Sequence, residues 1–324
     1  MREKISVIIP YWNESTTIHN TLLALAAQNY KPFEVILVDS GSGDDSFQKI
    51  NNWIGTYSGP VKFVNLPAKT GFPSSSRNVG ASKATGDYLA FMDCGLNFAR
   101  EWLESQLHFL TESGLRIVSL GCVLKGEGLV DVAAVSQTYG YDRPRLVIPG
   151  TLMETSVFRE VGPFLERRRS GDDVDWANKL SSKGITRGFN SQVKVQYLGT
   201  NYARTLGGLF KKVRTYGRDS VFLHGYYWPL VYLVSAFAGV LTSFFYPALI
   251  IYLGLLYIAL RGYGVPVLKS HNLRFFREGP GLLLLLPLAG FVIDIAKVCS
   301  YLEGYFYYGK RGWSSQFSND AESE

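Results

Sequence analysis

Apolar positions in the first third of the chain fall into short runs separated by amphipathic stretches. KISVIIP (Lys4–Pro10) is a continuous apolar run, the pattern of a strand buried on both faces. FEVILVD (Phe33–Asp39), VKFVNL (Val61–Leu66) and Tyr88–Met92 repeat it. Between the first two, Ile18, Leu22, Leu23 and Leu25 mark one face of a helix reaching about Gln28, with Asn13 as its cap. SGSGDDS opens a second helix ending near Gly55, and a third is predicted from about Ser74 to Ala84. This alternation predicts an α/β domain: a Rossmann-like, mostly parallel, doubly wound sheet with right-handed crossovers.

The middle of the chain is less regular. Leu115–Leu124 predicts another strand, and Arg145–Gly162 a strand, a turn at Pro149-Gly150 and a helix. SGDDVDWANKLSSKG starts a helix at Asp172 or Asp173, with Gly184 closing it. VKVQYL (Val193–Leu198) is a late strand.

Past residue 220 the pattern changes. Tyr226 to Leu260 contains no charged residue, longer than the ~20 residues one membrane crossing needs. Pro247 interrupts it, so one kinked span and two helices forming a hairpin are both compatible. A basic loop follows, then GLLLLLPLAGFVI, whose continuation is broken by Asp294, Lys297 and Glu303. That second segment reads as a crossing or as an amphipathic helix in the interface. Lys and Arg flank the first segment on both sides, which favours a hairpin or an element that does not fully cross. The expected organisation is a catalytic domain over 1–220, a membrane-associated helical region over 221–313 and a disordered acidic tail over 314–324.

Composition sharpens this only in part. Hydrophobic residues make up 47% of the 324, but the excess lies in the C-terminal third. The net charge of +6 suits anionic partners. No nucleic-acid-binding signature accompanies it. The cations gather instead beside the apolar segments, as at Lys211, Lys212, Arg214 and Arg218, where they suit lipid headgroups or phosphates. Cys94, Cys122 and Cys299 are too scattered for a disulfide framework, which fits a reducing compartment. The N-terminal MREKISVIIPYW is too short in apolar residues for a secretory signal and is expected to be the first strand.

In an open parallel sheet, ligands bind beyond the carboxyl ends of the strands. Those ends deliver Pro10, Tyr11, Asn13 and Glu14, then Asp39 and Ser40, then Thr70, Gly71, Arg77 and Asn78, then Asp93. No G-x-G-x-x-G follows the first strand and no P-loop is present, so a dinucleotide dehydrogenase and a P-loop enzyme are not supported. The four histidines show no metal-ligand spacing.

Four segments, SVIIPYWNESTTI, EVILVDSGSGDDS, TGFPSSSRNVGASKATGDYLAFMDCG and SGDDVDWANKL, occur in this order over roughly Ile5–Ser220. In them the chain resembles the inverting family 2 glycosyltransferases of GT-A fold. The resemblance implies that Pro10, Tyr11 and Glu14 line a nucleobase and ribose pocket and that Asp39 accepts a hydrogen bond from the base. It places Gly71, Arg77 and Asn78 near the ribose and diphosphate. Asp93 matches the first acid of the family's Asp-x-Asp, which serves nucleotide and metal, and Asp173 the catalytic base. Asp172, Trp176, Arg214 and Arg218 are candidates for acceptor or phosphate contact. Trp176 reads equally as a core aromatic, and the Glu166–Arg169 run as a loop closing on phosphates or a solvated face.

The chemistry agrees with the resemblance. Attack at an anomeric carbon needs a base for the acceptor hydroxyl, and the leaving diphosphate needs a cation or cationic side chains. Two departures stand out. No Gln-x-x-Arg-Trp follows the base, which argues for single-sugar addition, and Gly95 stands where a second metal-binding acid is expected.

The implied activity is transfer of one sugar from a UDP-, GDP- or dTDP-sugar to a hydroxyl of a lipid-linked acceptor, in polysaccharide or glycolipid synthesis. A divalent cation, Mg²⁺ or Mn²⁺, is the implied cofactor, and the cytoplasmic face of the cell membrane the implied location. The rival readings are a polyprenyl-phosphate glycosyltransferase and a non-catalytic membrane scaffold that keeps the fold.

Overall fold

The computed structural model describes residues 3–31, 33–124, 126–167, 170–197, 203–219 and 228–309. They fall into two units: Met1–Leu124 with Arg143–Thr200, and Lys125–Asp142 with Asn201–Glu324. The tail expected over 314–324 lies outside the described residues, as do Arg168 and Arg169.

The first unit begins β1 (Ile5–Tyr11), α1 (Ile18–Ala26), β2 (Phe33–Asp39), α2 (Ser46–Thr56), β3 (Lys62–Leu66), α3 (Pro73–Lys83) and β4 (Tyr88–Phe91). It continues through β5 (Leu96–Asn97), α4 (Trp102–Ser113) and β6 (Ile117–Val123). The chain then leaves it for α5 (Leu129–Thr138) and returns with β7 (Arg145–Leu146), β8 (Thr151–Glu154), α6 (Thr155–Val161), α7 (Asp172–Ser182) and β9 (Gly188–Tyr197).

Among the described residues the sheet has nine strands, ordered β3-β2-β1-β4-β8-β6-β9-β5, with β7 on β6. The expected parallel half is β3-β2-β1-β4. Beyond it β8 runs antiparallel to both β4 and β6. Alternate side chains feed two cores, as strand geometry requires. Ile5, Val7 and Ile9 of β1 join Leu22, Leu25, Trp102 and Leu103 on one face. Ile8 joins Leu89, Phe91, Val157, Phe164 and Trp176 on the other.

Two local expectations change, and one helix is new. Asn13 does not cap α1, which starts at Ile18. It sits in the left-handed region at φ 55°, which Asn tolerates, and its Oδ1 accepts the Gly43 N–H at 2.8 Å. Asn13 therefore ties the β1 loop to the β2 loop. The Arg145–Gly162 stretch contains a second strand, β8, after its turn. Its register is set by partners 60 or more residues away in β4, which local periodicity does not reveal. The helix α4 carries no sequence expectation at all.

The second unit contains α5, α8 (Leu206–Asp219), α9 (Trp228–Phe245), α10 (Pro247–Tyr257), a π-helical turn (Ile258–Gly264), α11 (Val265–Lys269) and α12 (Leu282–Gly309). Its core joins Val132, Ala133 and Ala134 of α5 and Leu209 and Val213 of α8 to Leu282, Leu286, Ala289, Ile293 and Ala296 of α12. Thus α5 and α8, placed with the catalytic segment by sequence position, pack with the C-terminal helices. Pro247–Lys269 and Leu282–Phe306 are each long and apolar enough to cross a membrane.

Candidate active site

The carboxyl ends of β1, β2 and β4 form one rim of the parallel half-sheet. Tyr11 at the end of β1 is in register with Asp39 at the end of β2. Asp39 Oδ1 accepts the N–H groups of Gly41 (3.1 Å) and Ser42 (2.8 Å) and the Ser42 hydroxyl (2.7 Å). These bonds hold the loop before α2 in a turn and aim the carboxylate at the rim. The next loop is tied to the same place. The Lys69 N–H reaches the Asp39 carbonyl (2.8 Å), and the Gly71 N–H reaches that of Ser40 (2.7 Å).

The centre of the site is Arg77 on α3. Its guanidinium reaches Asp93 Oδ1 at 2.8 Å and Asp172 Oδ2 at 3.0 Å. All three are largely screened from solvent, with Asp93 the most open of them. Burial pushes the Asp172 carboxyl above the ordinary range; the Arg77 charge pulls it back, and Asp173 pushes it up again. Asp173, next in the chain, takes no bond from Arg77. Its Oδ1 accepts the N–H of Val174 at 2.9 Å. The pair thus divides its work: Asp172 faces the buried cation, and Asp173 stands partly open at the first turn of α7. Arg187 lies within electrostatic reach of Asp173, its guanidinium pushed down by burial and pulled back by that carboxylate. Nothing in the local sequence marked Arg187.

Gly95 explains the missing second acid. It adopts φ +74°, where a side chain is strained. A Cβ there would stand 3.7 Å from Glu14 Oε2 and 3.8 Å from Thr17. Those distances are ordinary contacts, so an acid at 95 would be opposed by the backbone strain and by like charge near Glu14. Glu14 is itself half-buried and accepts the Thr17 hydroxyl. Burial raises its carboxyl above the ordinary range, and the Asp93 charge adds to this. Cys94 alongside is buried, its thiol pushed up to about 12. It is an inert packing group.

Several predicted site residues have other tasks. Tyr11 is 3% exposed and donates its hydroxyl to Asn65 Oδ1 (2.7 Å). It underlies the rim, beside the buried Pro10, and offers no ring face to a base. The neighbouring Trp12 is 56% exposed. Every residue of β1 is buried, and Trp12 is exposed because it stands one position past the end of that strand. Asn78 spends its amide on the segment before α7, donating to the Phe164 carbonyl and accepting the Phe164 N–H, both at 2.9 Å. It also donates to Glu166 (3.0 Å). It fixes that segment instead of reaching into the site. Trp176 is 0% exposed, packed against Phe164 and Phe158, with its indole N–H on the Gly162 carbonyl (3.0 Å). A residue sealed in the core cannot wall a sugar site. Arg214 and Arg218 belong to the second unit, where Arg214 pairs with Glu303.

Among the described residues, no three His, Cys, Asp or Glu side chains converge as a metal cage. Asp93, which the sequence resemblance equates with the metal-binding acid, has a partly open carboxylate. Mg²⁺ is commonly held by one or two carboxylates plus substrate phosphates and water. The donor set therefore fits a cation that enters with phosphates, and does not form a preassembled metal site.

A parallel β-α-β half-sheet presenting acids beyond its strand ends is the architecture of the GT-A nucleotide-sugar enzymes. The mannosyltransferase PcManGT from Pyrobaculum calidifontis, solved with GDP-Man and Mn²⁺, superposes with a TM-score of 0.57 at 17% identity. The match covers 95% of this chain and 88% of that one, and it establishes the shared fold. The model of glycosyl transferase family 2 matches residues 6–170, and the chain belongs to this family. It is 25% identical over 227 residues to the glycosyltransferase AglE of Haloferax volcanii, covering 67% of this chain and 73% of that protein. An uncharacterized glycosyltransferase of Haemophilus influenzae is 38% identical over 111 residues, 34% of this chain and 44% of that relative's length. The protein is a glycosyltransferase enzyme of the family 2 type.

Proposed function

We propose that the chain transfers a single sugar, with inversion, from a nucleotide-sugar donor to a hydroxyl of a membrane-associated, lipid-linked acceptor. The observation that carries this is the Arg77 bridge. One buried guanidinium holds the donor-side Asp93 and the base-side Asp172. That bridge supports reading Asp173, next to Asp172 in the chain, as a base that works opposite the diphosphate-facing Asp93.

In this reading the nucleobase lies on Trp12 and donates to Asp39. Asp173 takes the proton of the acceptor hydroxyl as its oxygen attacks the anomeric carbon. The new C–O bond forms on the face opposite the donor phosphate. The bond to that phosphate breaks, and the nucleoside diphosphate leaves with the electron pair. A divalent cation held through Asp93 would neutralise charge on the leaving diphosphate. The cations flanking the charge-free helices of the second unit support an acceptor at the cytoplasmic face of the membrane.

The test offers UDP-, GDP- and dTDP-sugars with a membrane lipid extract, with and without Mg²⁺ or Mn²⁺. Transfer from one donor class, abolished in Asp173→Asn, is expected. Transfer that persists in Asp173→Asn would favour an acceptor that is already an anion, such as a polyprenyl phosphate.

A further inference from the structure

We infer that this chain inserts into the bilayer from one side only: α9 and α10 form a hairpin that enters and returns, and no described helix crosses. This rests on the membrane reading above and adds its geometry.

The hairpin is plain in the packing. A methyl group at Gly239 would sit 3.5 Å from Leu253, the two positions lying seven residues either side of Tyr246. Its tip is apolar and outward: Phe244, Phe245 and Tyr246 are 78%, 81% and 68% exposed. No charged residue occurs from Tyr226 to Leu260. Such a surface is covered by acyl chains, since it is apolar apart from a few hydroxyls and carries no charge.

Length alone would let both Pro247–Lys269 and Leu282–Phe306 cross. The placement of α5 forbids it. Gln137 Nε2 donates to the Gly262 carbonyl (2.9 Å) and to the Leu286 carbonyl (2.8 Å), one in each candidate span. Lys269 Nζ caps the end of α5 through the Gln137 and Thr138 carbonyls, both at 3.1 Å. Gly290 leaves the room for this: a Cβ there would meet Gln137 Nε2 at 3.1 Å. On α12, Leu282, Leu286, Ala289, Ile293 and Ala296 are buried in the core shared with α5 and α8.

Yet α5 itself cannot lie in hydrocarbon. Irregular backbone flanks it at 126–128, where Glu127 is exposed, and at 140–142, which carries Asp142. Lipid-exposed irregular backbone is excluded from the hydrocarbon region. The level of Gly262 and Leu286 is therefore outside it. What remains of the first candidate span is Pro247–Leu260, roughly 21 Å at 1.5 Å per residue. The hydrocarbon core is about 30 Å thick. The hairpin reaches past mid-depth and stops. At its mouth Arg261 pairs with both Asp294 oxygens (2.8 and 2.9 Å), and Tyr257 donates to the same carboxylate (2.9 Å). Exposed cations stand on both flanks, Lys211 and Arg214 before it and Arg274 and Arg277 after it, so both flanks belong on one side.

The experiment uses the full chain with Cys299→Ser, leaving the buried Cys94 and Cys122 in place. Lys211→Cys, Tyr246→Cys and Arg277→Cys are each treated with a membrane-impermeant maleimide in right-side-out and in inverted vesicles. Lys211→Cys and Arg277→Cys are expected to react in the same vesicle type only. Tyr246→Cys is expected to stay at background in both until detergent is added, a change of on the order of tenfold or more. Reaction of Tyr246→Cys before detergent, from either side, overturns the inference. So does reaction of Lys211→Cys and Arg277→Cys from opposite sides. A chain that stays soluble without detergent overturns the membrane reading itself, a result distinct from both.

Discussion

Arg77 and Asp172, 95 residues apart in the chain, form a buried ion pair at 3.0 Å. The same guanidinium holds Asp93, so one cation neutralises the acid of β4's end and the acid of α7's first turn. Arg77→Ala leaves a buried carboxylate without its counter-charge. Breaking a buried pair by removing one partner costs about 3–5 kcal/mol. Thermal unfolding of Arg77→Ala should show that loss together with loss of transfer. Arg77→Lys should recover stability before activity, because an ammonium cannot hold two carboxylates in the planar fork of an arginine.

The two acids of α7 should separate cleanly. Asp173→Asn is expected to lower kcat by about 10²–10⁴-fold with little change in donor affinity or Tm. Asp172→Asn is expected to lower both Tm and kcat, because its partner is structural. Equal effects of the two substitutions in steady-state kinetics and calorimetry would remove the division of labour.

Trp12 should take the base-stacking role that the sequence resemblance gives to Tyr11. Trp12→Ala removes an exposed ring, and stacking of a base on an aromatic is worth about 1–3 kcal/mol. Nucleotide binding by titration calorimetry should weaken accordingly, with an unchanged Tm. Tyr11→Phe loses its bond to Asn65 and should cost about 1 kcal/mol of stability while leaving binding intact.

Restoring the second acid should fail. Gly95→Asp forces a side chain into φ +74°, a cost of about 1–2 kcal/mol, and sets it beside Glu14. The expected result is a lower Tm and no tighter dependence on Mn²⁺ in donor binding. A gain in metal affinity would show that Glu14 can move aside.

Glu34 sets an acid limit on stability. Burial pushes its carboxyl up. Bonds from Ser6 (2.7 Å) and from the Thr85 N–H (2.9 Å) and hydroxyl (2.8 Å), with Lys4 at 3.2 Å, outweigh it and bring it down to about 2. A carboxyl lowered on folding stabilises above its ordinary titration, near 4.5, and loses that contribution as pH falls toward 2. Glu34→Gln should therefore be less stable than the wild type at pH 7, with the gap closing between pH 4.5 and 2 in denaturant melts.

Much of the architecture was legible because strands buried on both faces must be apolar throughout. The runs at Ile5–Tyr11 and Phe33–Asp39 and the charge-free stretch from Tyr226 announce their elements directly. The acids were legible as residue types at strand and helix ends. Four things were decided only by the tertiary structure. Arg77 meets Asp172, Asn78 is spent on Phe164, Trp12 faces outward where Tyr11 does not, and α5 leaves the sheet to hold the C-terminal helices. Each depends on partners dozens of residues away, brought together by strand order and helix packing. Periodicity records which side of an element is apolar, and for Gly95 it records only a missing side chain. That this glycine stands at positive φ beside the Glu14 carboxylate, where a second acid would be strained and repelled, is decided by the backbone path and the packing of α1.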